Sequence, residues 1–324
     1  MAKGKSISID QMLAKLSSLK TEANVPDAME QLSQALDHKT NLIVERAAKI
    51  AGELKLAQLA PSLIRAFDRF LPAGSDKGCP AKTAIATTLY ELGADAADVF
   101  LVGGKHVQME PVWGGSRDVA AELRGICALG LVRMAHRDAL LNAADLLTDP
   151  EPQARIIAAR ALAYSGHDSA ALPLRVKIRT GDREAEVTAE CITALMKLAP
   201  QKSIELVADF LDDADEMIRE AAALALGESR RREAFDILKD HVERTPDAER
   251  RRALLLAIAV SRLQEGIKYL VDLLERADVE TAKNVLEAVQ IYKHDDAIRT
   301  SIQNTIDGRK EPSLKRKFEE LFTK

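Results

Sequence analysis

The 324-residue sequence predicts an all-α fold: a right-handed α-solenoid of about nine helix pairs with capping ends. Two observations predict it. A helix-length motif recurs at a nearly constant interval from residue 43 to residue 314. The composition is 47% hydrophobic and 30% charged but only 4% aromatic, which suits helices packed closely through small residues.

Taken in order, residues 1–26 read as an N-terminal cap. Within it, Asp10 to Leu19 has the pattern of a short amphipathic helix with Asp10 as its N-cap. Residues 27–324 then read as the repeat array. The residue opening each helix's apolar face serves as an anchor: Ile43, Ala81, Ala121, Ala154, Val187, Ile218, Arg250, Thr281 and Leu314. Successive anchors are 38, 40, 33, 33, 31, 32, 31 and 33 residues apart. Seven places on stands a small residue (Ala128, Ala161, Ala194, Ala225, Ala257, Ala288), and the next place is usually apolar (Leu89, Leu162, Leu195, Leu226, Ile258). Offsets of 0, 4, 7 and 8 share one face at about 3.6 residues per turn. Asp118, Asp215, Asp247 and Asp278, each three places before an anchor, are expected N-caps. Amphipathic segments such as LLNAADLLTD from Leu140 and SIELVADFLDD from Ser203 precede the anchored helices. Each unit is therefore helix A, turn, helix B, and stacking buries the stripe that neither helix can bury alone. The charged last segment, EPSLKRKFEELFTK, suits a solvated outer face.

The D-x-x-I-R-x-x-A-x-x-A-L-G pattern from Asp215 to Gly227, and its copies, resembles the HEAT-repeat family in the short form also seen in phycobilin-lyase-type repeats. The resemblance runs from about Asp27 to the C-terminus and implies a helical solenoid; it says little about activity. These units are shorter than the usual HEAT length of ~40–47 residues. Neither a TPLHxA ankyrin motif nor the Trp-Leu-Gly-Tyr set of tetratricopeptide repeats is present.

The two longest intervals are adjacent, and both have extra residues in the turn from helix A to helix B, near 68–80 and 103–118. Insertions in consecutive solenoid units are expected to be neighbours in space. They would form one loop patch of Asp76, Lys77, Cys79, His106, Glu110, Trp113 and Arg117. Of these, Cys79, His106, Glu110, Trp113 and Arg117 are the binding candidates. His106, Glu110 and Cys79 could ligate a metal, but one His and one distant Cys make no ligand pattern, so no metal is assigned. Cys79, near Lys77 and Lys82 at a helix start, could be an activated thiolate or an inert buried thiol. Trp113 could anchor a partner or plug the loop onto the solenoid edge. No catalytic residue is assigned.

Offsets 2, 6 and 9 are expected to point away from the buried stripe, toward a concave groove. The residues there include Leu123, Ile156, Arg160, Met196, Leu224, Arg252 and Leu256, an apolar set suited to a peptide or protein segment. Arg230–Arg232 and Arg250–Arg252 could meet an acidic partner, although surrounding carboxylates suit a salt-bridged surface. The net charge of -4 disfavours nucleic acid as a general partner. The three cysteines form no CxxC pair, and no run approaches the ~20 apolar residues of a membrane span. With no apolar leader at the start, a cytoplasmic location is expected.

The leading functional expectation is a non-catalytic scaffold that binds a protein or peptide through its concave face, with the insertion loops adding recognition and no cofactor. The resemblance keeps open a phycobilin-lyase-like accessory enzyme or chaperone, and a DNA-binding or repair HEAT-like protein. It also brings in deoxyhypusine hydroxylase, whose paired His-Glu ligands have no counterpart here, since no His-Glu dipeptide occurs.

Overall fold

In the computed structural model, residues 8–20 and 25–322 are described. The chain divides into two compact units, Met1–Pro173 and Leu174–Lys324. The first contains α1 (Ile9–Ser18), α2 (Val25–Leu36), α3 (Asn41–Glu53), α4 (Ala60–Arg69), α5 (Pro80–Leu92) and α6 (Ala97–Gly103). It continues with strands β1 (Met109–Val112) and β2 (Gly115–Asp118), then α7 (Ala121–Arg133), α8 (Ala139–Leu146) and α9 (Pro152–Ser165). The division falls inside α10 (Ala171–Thr180). The second unit goes on with α11 (Ala185–Leu198), α12 (Pro200–Ala208), α13 (Glu216–Glu228), α14 (Arg232–Arg244) and α15 (Ala248–Ser261). It ends with α16 (Gln264–Arg276), α17 (Val279–Val289), α18 (Asp296–Arg309) and α19 (Pro312–Phe322).

From α2 on, even-numbered helices are the A helices and odd-numbered ones the B helices, so the described residues hold nine A–B pairs. Every expected anchor lies on or beside a B helix. In the first unit α3 packs on α5, α5 on α7 and α7 on α9; in the second, α11, α13, α15, α17 and α19 stack in turn. The small residues at offset seven, Ala128, Ala161, Ala194, Ala225, Ala257 and Ala288, are all buried between them. Contact is tightest at glycine. A methyl group on Gly227 of α13 would lie 2.2 Å from the Ala257 carbonyl oxygen of α15. One on Gly125 of α7 would lie 2.6 Å from Cβ of Ile157 on α9.

The A-to-B turns share their chemistry. Asp149, Asp182 and Asp213, each five places before an anchor, accept the N–H two residues on. Asp215, Asp247 and Asp278 cap α13, α15 and α17 as expected. One place after the anchor stands a cation that reaches back to the turn: Arg155 to the carbonyls of Asp149 and Pro150, and Arg219 to those of Asp213 and Ala214. The Arg of the I-R pair is thus a turn clamp.

Two expected caps are corrected. Ser8, not Asp10, caps α1, in a reciprocal capping box with Gln11. Asp118 lies ahead of the first turn of α7 and has a different role, described below. Residues 1–7, 21–24, 323 and 324, parts of both expected capping ends, lie outside the described residues. No described helix is long and apolar enough to cross a membrane.

Candidate functional site

Both insertions belong to the first unit. Residues 70–79 turn sharply between α4 and α5: Gly74, Gly78 and Cys79 have left-handed φ angles of 77°, 78° and 61°. Pro80 then opens α5 with its φ already helical. The second insertion folds as an antiparallel hairpin, with Met109 opposite Asp118, Glu110 opposite Arg117 and Val112 opposite Gly115. Its turn is Trp113-Gly114, and Gly114 supplies the required positive φ of 88°. Pro111 is tolerated because a two-stranded ribbon leaves the outer edge of each strand unpaired.

A buried polar network ties the insertions together. Asp76, 1% exposed, accepts the N–H groups of Ala81 and Lys82 in the first turn of α5 at 3.2 and 3.0 Å. Asn41, at the start of α3, donates to Asp76 and to the Lys77 carbonyl. The Lys82 ammonium, equally buried, lies 3.5 Å from the Asp76 carboxylate. It donates to the Phe70 carbonyl at 2.9 Å and to Gln108 Oε1 at 2.8 Å. Gln108 Nε2 in turn donates to the Asp76 carbonyl and to Glu110 Oε1. Gly78 N–H also donates to Glu110, at 2.7 Å. The Gly78 and Gln108 bonds hold the Glu110 carboxyl below the usual carboxylate range. Burying a charge pair is costly, and these added hydrogen bonds offset that cost.

A second network holds the base of the hairpin. Asp118 accepts N–H bonds from Gln108 and Ala120, both at 3.0 Å, and pairs with Arg124 at 2.6 Å. Arg124 also grips Asp149 through Nε and Nη2, at 2.7 and 2.8 Å, and donates to the His106 carbonyl. Burial pushes the Asp118 pKa up, but the Ala120, Gln108 and Arg124 contacts outweigh it, so the carboxyl lies below its ordinary value. The hairpin is thereby fixed to the turns of three consecutive units: residues 70–79, its own, and the α8–α9 turn that holds Asp149.

The network brings Asp76, Glu110 and the backbone of Lys77 and His106 together. The His106 ring is 3.4 Å from Gln108 Oε1, and burial lowers its pKa. Cys79 is not part of the surface: it is fully buried, and desolvation raises its thiol to about 11 despite nearby Lys82, so it does not act as an exposed thiolate. Trp113 is not a plug. It stands 104% exposed at the turn; Val112 next to it, Met109 and Val107 earlier in the chain and Arg117 on the returning strand are exposed as well. Among the described residues no group of three or more His, Cys, Asp or Glu side chains is arranged to hold a metal ion. Gln108, Arg124 and Asp149 lie outside the expected loop patch. Their signal was local: a cation just inside helix B, and an Asp recurring five places before the anchor.

The expected concave set is corrected in part. Leu123, Ile156 and Met196 are buried. Leu123 and Cys127 face α6, whose Gly103 lets that helix come so close that an added methyl would meet Cys127 Sγ at 2.5 Å. Leu224 and Leu256 are half-buried, and Arg160 and Arg252 exposed, with Arg252 3.2 Å from Glu287.

The family model described as HEAT repeats matches residues 172–259. Over that segment the repeats are HEAT-like. No curated protein matches it. Among solved structures it is similar to the CpcE–CpcF complex of phycocyanin lyase from Nostoc sp., with 15% identity over 90% of this chain and 94% of that one and a TM-score of 0.39. An engineered protein is 16% identical over 99% and 97% of the two chains, with a TM-score of 0.45. Human deoxyhypusine hydroxylase is 19% identical over 79% and 91%, with a TM-score of 0.33. The assignment of the fold rests on the repeat itself and on the matched segment.

Proposed function

We propose that this HEAT-like chain is a non-catalytic scaffold that binds a protein partner, and that the hairpin at residues 109–118 is its recognition element. The observation that carries the reading is a fully exposed indole on a hairpin whose base is fixed by buried charge. A tryptophan in water forfeits the burial of its ~150–250 Å² of side-chain surface. Bracing such a hairpin against three repeat turns removes most of the ordering entropy a partner would otherwise have to overcome. Val112, next to the indole in sequence, and Met109 on the same strand add exposed apolar side chains, and Arg117 on the paired strand adds an exposed cation. Aromatic anchors with an Arg beside them are the residue types that dominate binding energy at protein interfaces. The partner chemistry this suits is an apolar pocket with an acidic margin. Of the residues expected on the concave face, Arg160 and Arg252 are exposed and Leu224 and Leu256 half-buried.

The test places a photo-crosslinking amino acid at position 113 in the full chain, with a second version at Leu172, an exposed side chain on α10. The reading expects one discrete adduct from position 113 and none from 172. Trp113→Ala should then weaken binding of the purified partner at least ~30-fold, the scale of an interface hot spot, with no change in Tm. Equal, diffuse adducts from both positions would overturn it.

A further inference from the structure

The hairpin has two backbone edges, and they differ. Residues that face each other across an antiparallel pair alternate between two kinds. One kind exchanges both backbone bonds; the other turns its N–H and C=O groups away from the partner strand. Two observations fix the alternation here. Pro111 stands opposite Ser116 and has no N–H to exchange. At the base of the ladder, Val119 N–H donates to the Gln108 carbonyl at 3.0 Å. Glu110 and Val112 therefore bond inward to Arg117 and Gly115, while Met109 and Pro111 on β1, and Ser116 and Asp118 on β2, turn their backbone groups outward.

The outer edge of β1 is blunted, because Pro111 offers no donor there. The outer edge of β2 is open. Ser116 is exposed between an exposed Gly115 and an exposed Arg117, so one N–H and one C=O stand ready for another strand. The flanking residues are particular. Arg117 has no ion-pair partner among the described residues, since Glu110 opposite it is held by Gly78 and Gln108. A methyl group on Gly115 would meet nothing within 4 Å, so the space over that residue is free.

We infer that an extended segment of the partner adds to β2 as a third, antiparallel strand, with an acidic residue opposite Arg117 and a large apolar residue two places later opposite Gly115; this rests on the hairpin being the recognition element. The residue between those two exchanges both backbone bonds with Ser116. Residues two apart on a strand share a face, so the acidic and apolar side chains lie on the same side as Arg117. Arg117 and the acidic residue form a pair without mutual backbone bonds, the kind whose Cα atoms lie about 4.5 Å apart and whose side chains come closest. The apolar side chain covers the Gly115 backbone, and the segment then runs toward the Trp113 turn. In this mode main-chain bonds supply affinity and alternate side chains supply specificity. The antiparallel direction is the more stable per residue.

Random linear peptides displayed on phage and selected on the full chain test this. Selection should enrich an acidic residue two places before a large apolar one. A labelled synthetic copy of the enriched peptide is then titrated by fluorescence anisotropy. Ser116→Pro removes only an outward N–H, so it should keep Tm and weaken the peptide at least ~10-fold. N-methylation of the peptide residue between the acidic and apolar positions should cost as much, and this arm leaves the protein untouched. N-methylation of the acidic residue, whose N–H points away from β2, should cost nothing. Arg117→Glu should weaken the same peptide and favour a copy with lysine in place of the acid. An absent motif, unchanged affinity in Ser116→Pro, or equal losses from the two N-methylations would overturn strand addition. If Trp113→Ala still weakens binding of the captured partner in that case, the hairpin reading stands without it. A parent chain that is dimeric, and monomeric as Ser116→Pro, would give the edge to a second copy and overturn the inference too.

Discussion

Asp118 shows how single residues decide the behaviour of this surface. Two N–H bonds and the Arg124 guanidinium hold its carboxyl below the ordinary range in spite of burial. A carboxylate with a lower pKa folded than unfolded stabilises the fold above its unfolded value, about 3.9, and loses that contribution as pH falls through the folded value. Asp118→Asn should therefore destabilise the protein by about 1–3 kcal/mol at pH 7. Its deficit against the parent chain should shrink below about pH 4, as read by urea unfolding at pH 7, 5 and 3. An undiminished deficit at pH 3 would mean that shape, not charge, is what Asp118 supplies. The Asp76–Lys82 pair is more severe, since both side chains are almost wholly inaccessible. Asp76→Ala leaves the Lys82 ammonium buried without its carboxylate and should cost about 3–5 kcal/mol. The double variant Asp76→Ala with Lys82→Met should recover much of that loss in the same assay, because no lone charge remains.

At the scale of elements, the B helices were legible and the hairpin was not. Offsets of 4, 7 and 8 from the anchors, with alanine at 7 in the central repeats, mark B-helix faces that are mostly buried in both units, although the anchor Arg250 is itself exposed. The same frame placed the two insertions in consecutive A-to-B turns, and their hydrogen bonds join them. Strands of four residues gave no signal: Met109–Val112 lacks alternating apolar and polar residues, and its partner Gly115–Asp118 has no apolar residue at all. Hydrogen bonds to distant side chains hold it, and spacing does not reveal those. The concave set failed for a related reason. Offsets 2, 6 and 9 are expected to turn outward, yet Leu123 and Cys127 pack under the short α6, because Gly103 lets that helix approach. Close approach at glycine also makes Gly227 a sensitive position. Gly227→Ala drives a methyl group into the Ala257 carbonyl and should destabilise the second unit by at least ~1–3 kcal/mol. Hydrogen exchange should show the loss of protection concentrated in residues 174–322; uniform exchange over the whole chain would contradict a contact confined to α13 and α15.

For the whole molecule, repetition explains both the fold and its exceptions. A chain with 4% aromatic residues builds its core from alanine and leucine, which leaves its single tryptophan without a structural duty. That tryptophan stands at the tip of the hairpin in the first unit. The hairpin departs from the repeat as an insertion. The claim that matters most is that Trp113 is a recognition residue. Because it is the only tryptophan, its emission reports on that residue alone. The direct measurement is Trp113 fluorescence and acrylamide quenching during titration with the partner captured through position 113. The account predicts a solvent-like emission and full quenching without partner, then a blue shift and strong protection that saturate with binding. Binding that leaves the emission and quenching of Trp113 unchanged would contradict it.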